Sequence, residues 1–195
     1  MNSEWSEMQK QIQVLLGKEA TYREGMELLI KLRNDLFEQI TQIVNGYPAE
    51  AFYRMPFPNA KGYHSKTLAY SIWHIFRIED IVAHTLIARN EQIFMAGGFQ
   101  EKIGSPIITT GNELKGQEIT EFSKKLSIRP LYEYAKEVML STNLILLNLE
   151  YSQMKTRYSD ADRARLAESG CISPDENAFW LIDYWCGKDI CGLIK

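Results

Sequence analysis

Thr67-Leu68-Ala69-Tyr70-Ser71-Ile72-Trp73-His74-Ile75-Phe76-Arg77-Ile78-Glu79-Asp80-Ile81-Val82-Ala83-His84-Thr85-Leu86-Ile87 decides how this chain folds. It runs for more than about five helical turns without Gly or Pro. Its apolar residues nearly encircle the axis, so this is the helix expected to be most buried. Inside that run sit two histidines and an Arg/Glu/Asp cluster. Buried polar groups need a partner, a metal or a substrate to offset their desolvation. Function is therefore sought on this helix first.

On its N-terminal side, residues 3–16 read as a short amphipathic helix and Gly17 interrupts it. A longer pattern spans 19–44, with Tyr22, Met26, Leu29, Leu32 or Arg33, Leu36, Ile40 and Val44 on one stripe. Gly46 and Pro48 stop it. Residues 46–64 read as a long aromatic loop, either a lid or a crossover. The central helix is expected over 65–94, halted by Gly97-Gly98, and a glycine-rich connection over 99–116 follows. The next helix, 118–151, carries a stripe that passes through Leu140 or Ser141, and Pro130 is placed to split off its first turns. Ser159 caps a small polar helix over 159–168. Ser173-Pro174-Asp175-Glu176 signals a further helix start, with Ser173 at the cap, and Gly187 ends that helix.

No alternating period survives, so the chain reads as all-α: one domain over 1–195, with 1–18 as a helical extension and 174–195 as a short C-terminal helix. Its 195 residues suffice for a sizeable core, and 45% apolar with 24% charged residues is an ordinary globular balance. A net charge of −3 provides no electrostatic reason to expect nucleic acid or an anionic membrane as partner. The N-terminus has no signal-peptide pattern, and the long apolar run is too polar to span a bilayer. Cys171, Cys186 and Cys191 form no CxxC pair and read as buried thiols in a reducing cytoplasm.

His64, His74 and His84 are spaced by ten residues. On one helix that separates His74 from His84 by about 80° around the axis and about 15 Å along it, so the two cannot share an ion. His84 follows Asp80 by four residues, the spacing at which an acid and a base on adjacent turns meet. His64 reads as a loop histidine. His74 shares a face with Tyr70, Ser71, Ile78, Ile81 and Thr85 and is expected to look into the core. Arg77, Glu79 and Asp80 could orient it or pair with other helices. Phe179, Trp180, Tyr184 and Trp185 read as core. No P-loop, dinucleotide fingerprint, GxSxG elbow or HExxH helix is present.

Leu68 through Ile75, followed by Arg77-Ile78-Glu79-Asp80, resembles the second helix of the DinB-like (YfiT-like) metalloenzyme superfamily. Asn177 through Ile194 resembles the approach to that family's last helix. The resemblance implies a four-helix up-down bundle with long crossover loops and short extra helices, commonly homodimeric. It also implies a divalent metal, nickel, zinc or iron, held by three histidines, one of which matches His74. Family members of known activity are transferases and isomerases using bacillithiol, mycothiol or glutathione. The family's His-x-x-x-His pair on the last helix has no counterpart here, because no histidine follows His84.

The resulting expectation is a cytoplasmic homodimer, a degenerate or C-terminally truncated member with an incomplete metal site at His74. Two alternatives stand beside it. One is a metal-dependent thiol S-transferase or isomerase, with a small-molecule thiol as substrate and His74 as one ligand. The other is a non-enzymatic interaction or stress-response module that uses the aromatic C-terminal helix.

Overall fold

The computed structural model describes residues 3–57 and 65–195. Among them all the regular structure is helical, and the one extended pairing is an isolated bridge between Arg157 and Asp189. The helices are α1 (Ser3–Leu15), α2 (Tyr22–Gly46), α3 (Ala49–Tyr53), α4 (Leu68–Asp80), α5 (Ile93–Ala96), α6 (Phe99–Ile103), α7 (Gln117–Lys125), α8 (Ile128–Asn148), α9 (Asp160–Glu168), α10 (Glu176–Cys186) and α11 (Ile190–Ile194). No helix among the described residues is long and apolar enough to cross a membrane. His64 lies outside the described residues.

Three long helices organise the rest: α2, α8, and α4 with its continuation. Both α2 and α4 lie against α8. They reach each other through long side chains, as in the edge-on contact of Phe37 with Phe76. Thr67 caps α4 by accepting the Tyr70 N–H, and its hydroxyl also bonds Ser123 of α7 at 2.6 Å. Beyond Asp80 the helix widens into a π-helical segment, Ile81–Ala88, which ends on Arg89 in the left-handed conformation (φ 55°).

The central helix thus stops at Ala88 rather than near residue 94, and Asp80 explains why. Its carboxylate accepts the N–H groups of Ile93 and Phe94, each at 2.9 Å. That caps α5 from a distance and turns the chain back along α4, a tertiary bond that local pattern does not encode.

Pro130 does split the next helix. It stands in the first turn of α8, where its missing N–H costs nothing, and α7 precedes it as a separate unit. Ser159 caps α9 together with Asp162. The start of α10 lies two residues later than Ser173 suggests: Asp175 is the cap, accepting the Asn177 N–H, while Ser173 Oγ accepts from Asp175. The sequence reading missed α11, whose cap is Asp189.

The connection after α6 is ordered by α4 itself. Its carbonyls at 108, 109, 110 and 111 engage Arg77, Trp73, His74 and Tyr70 in turn, so residues 108–111 are strapped along one face of the helix. Gly111 makes this possible. Its φ is +77°, and a Cβ there would stand 3.1 Å from the Tyr70 ring.

Three hydrophobic clusters result. The largest joins α4, α7, α8 and the short helices around Trp73, Phe94, Phe122 and Tyr134. A second joins α1, α2, the end of α8 and α11. The third packs α9 and α10 against the π segment through Ile81, Leu86, Leu166 and Ile182.

Candidate functional site

The polar residues of the central helix form two distinct arrangements. Arg77 and Asp80 are fully buried and paired at 3.1 Å. The Arg77 guanidinium also donates to the Ile108 carbonyl, the Gln92 amide oxygen and the Tyr134 hydroxyl, and it lies 4.4 Å from the centre of the Phe94 ring. Tyr134 donates to Asp80 at 2.9 Å, and burial raises its phenol far above the usual range. Gln92 continues the network to Thr85 and Cys171. A buried charge pair satisfied on this many sides is costly to break, because either partner alone would be left charged and unpaired in the core. It does not orient His74.

His84 pairs with Asp80 as its spacing predicts, Nδ1 lying 2.9 Å from Oδ1. Its Nε2 lies 2.8 Å from Ser141 Oγ on α8. Glu79, on the opposite side of α4, forms a two-pronged pair with Arg33 of α2 at 2.7 and 3.0 Å.

His74 looks not between the long helices but under the strap. Its Nδ1 lies 2.9 Å from the Thr110 carbonyl, and its ring stacks on Tyr70 at 5.4 Å. Burial lowers its basicity, the Thr110 bond offsets part of that, and the positive Lys66 adds to the lowering. Tyr70 is pushed up to about 12 by burial and by the charge of Glu113. Glu113 Oε1 accepts from Thr109 Oγ1, while its Oε2 is buried without a hydrogen-bond partner.

A cavity lies elsewhere, in the gap between α2 and α4. It encloses about 380 Å³, within the range of small-molecule sites. Thr142 and Leu146 of α8 contribute to its lining, together with Leu29 and Arg33 of α2, Ile78 and Val82 of the central helix, and Trp185 and Leu193 from the C-terminal segment. Thr142 is 6% exposed, and its hydroxyl has no hydrogen-bond partner. In an apolar wall such a group carries an uncompensated desolvation cost. The Arg33–Glu79 pair and Lys188 supply charge in the same cavity.

The aromatic cluster of α10 is not core, contrary to its reading from sequence. Phe179, Trp180 and Tyr184 are about half exposed, and Trp185 alone is buried. The three cysteines are free and buried, as their spacing suggested.

Arg33, Thr142, Ser141, Tyr134 and Gln92 were not singled out from sequence as candidates. Two of them did leave a mark: Arg33 and Ser141 stand where an apolar stripe becomes ambiguous, and both meet a polar partner on the central helix.

Neither a protein-family model nor a curated protein matches this chain.

Proposed function

We propose that this chain is a DinB-like helical bundle without the three-histidine metal centre, serving to bind a small amphipathic molecule in the cleft between α2 and α4. Thr142 carries the proposal: it lines a cavity of ligand size, and its hydroxyl is buried beside that cavity without a hydrogen-bond partner. The residues present do not suit a three-histidine centre, since both ring nitrogens of His84 are engaged, with Asp80 and with Ser141. Trp185, Lys188 and Leu193 of the C-terminal segment line the cleft beside the central helix, which fits a last-helix role for that segment. Free buried thiols fit a reducing cytoplasm.

Thermal-shift screening of small amphipathic compounds, with Trp185 fluorescence as a second readout, tests the reading. A ligand at about 100 times its Kd adds about 2.7 kcal/mol of stability. Thr142→Val is expected to weaken binding at least tenfold while raising the stability of the free protein by about 1 kcal/mol, because the uncompensated hydroxyl is gone. Compounds that shift wild type and T142V equally, or no shift at all, would overturn it.

A second reading, a metal-dependent thiol S-transferase, draws support from His74. With Nδ1 held by the Thr110 carbonyl, its Nε2 lone pair is left for a ligand, and the unpartnered Glu113 Oε2 lies two residues beyond the strap, its Oε1 bonded to Thr109. A catalytic zinc site takes three protein ligands, and no cluster of three His, Cys, Asp or Glu occurs among the described residues. Nickel, zinc or iron at near one per chain, lost in His74→Ala, would favour this reading over the first.

A further inference from the structure

We propose that Asp80, His84 and Ser141 form a Ser–His–Asp acyl-transfer site acting on small carboxylic esters. The three groups are in line. Ser141 Oγ is 2.8 Å from His84 Nε2, and His84 Nδ1 is 2.9 Å from Asp80 Oδ1. His84 Nδ1 also lies 3.1 Å from the Asp80 backbone carbonyl. Both oxygens facing Nδ1 are acceptors, so the neutral imidazole carries its proton there. Nε2 is then the lone pair facing the serine hydroxyl, as a general base requires.

Asp80 is held for the orienting role. The Arg77 guanidinium, the Tyr134 hydroxyl and the N–H groups of Ile93 and Phe94 all donate to its carboxylate. His84 is 1% exposed, so the base is shielded from water. Ser141 is only part-buried and lines a separate surface cavity of about 480 Å³.

That cavity shares Ile87 and Ile145 with the cleft and is otherwise its own site, bounded also by Asn90, Leu144 and Asn148. The side-chain amides of Asn90, Asn148 and Gln153 line the same cavity as Ser141, and such donors can stabilise an oxyanion. Asn148 donates one amide hydrogen to the Leu144 carbonyl, which leaves its second. The backbone around the base is also unusual. His84 lies within the π-helical segment, and Arg89 at its end is the one non-glycine with positive φ among the described residues. Both departures are of a kind that clusters at functional sites.

The chemistry balances without a cofactor. Ser141 Oγ bonds the ester carbonyl carbon while its proton passes to His84 Nε2. The ester C–O bond then breaks, and the leaving alkoxide takes that proton and departs as the alcohol. Water attacks the acyl-serine, giving a proton to Nε2, and that proton returns to Ser141 Oγ as the carboxylic acid leaves.

The inference does not depend on the cleft reading, and its test is separate. The full chain is incubated with a fluorophosphonate and, in parallel, with p-nitrophenyl acetate. We expect one equivalent of phosphonyl label mapped by mass spectrometry to Ser141, and a burst of nitrophenolate. Ser141→Ala should abolish the label and lower nitrophenolate release about 100-fold, with circular dichroism unchanged and melting lowered only by the loss of the single bond to His84 Nε2. A serine that only satisfies a buried histidine would stay unlabelled. An unlabelled wild type, label at another residue, or equal release from wild type and S141A would overturn the proposal.

Discussion

At the scale of single residues, Asp80 and His74 show opposite consequences of burial on one helix. Asp80 collects five donors from four parts of the chain, so its removal strands the Arg77 guanidinium in the core. Asp80→Ala is expected to cost about 3–5 kcal/mol in urea denaturation. Glu79→Ala, which breaks the two-pronged pair with Arg33 in which each side chain is only 17% exposed, should cost less, about 1–3 kcal/mol. His74 is part-buried, and burial holds its basicity below the ordinary 6.5. The folded state therefore binds its proton less readily than the unfolded chain. The associated stability is complete above about pH 6.5, is lost as pH falls below that value, and levels off once the folded form protonates. Melting temperatures between pH 5 and 8 should fall on the acid side. His74→Gln should reduce that slope.

At the scale of elements, the strap over α4 is the feature on which the His74 face depends. Four successive carbonyls engaged by four side chains of one helix require the backbone to pass very close to Tyr70, and Gly111 permits it. Gly111→Ala forces a left-handed non-glycine residue against that ring and should cost about 1–3 kcal/mol. Hydrogen exchange should locate the added opening in residues 105–113 rather than in α8. The long helices and the main breaks were legible beforehand because Gly46, Pro48, Pro130, Ser159 and Gly187 act through local sterics and capping, whereas the short helices α3, α5, α6 and α11 were not. The early end of the central helix was not, because it depends on Asp80 reaching residues thirteen and fourteen positions further along. The widening of residues 81–88 likewise leaves no mark in a pattern that stays apolar throughout.

At the scale of the whole molecule, the aromatic face of α10 bears on the expected homodimer. Phe179, Trp180 and Tyr184 lie on the outside of the third cluster, with Trp180 and Tyr184 in edge contact at 5.4 Å. Contiguous exposed aromatics of this kind mark contact surfaces. Light scattering of the wild type should give twice the chain mass, and the double substitution Phe179→Ser with Trp180→Ser should give one. A wild-type monomer at high concentration would remove the dimer from the account.

The sequence by itself determined the all-helical class, most helix boundaries, the Asp80–His84 pair and the buried state of the thiols. Each of these follows from contacts within about one turn or from residue type. Only the tertiary structure decided that His74 lies under a strap, that Thr142 lines a cleft and carries an unmatched buried hydroxyl, and that Ser141 links to Asp80 through His84. Those arrangements join residues 36 to 57 positions apart or depend on where whole helices settle. Hydrophobic periodicity specifies which face of a helix is buried but not which neighbour buries it.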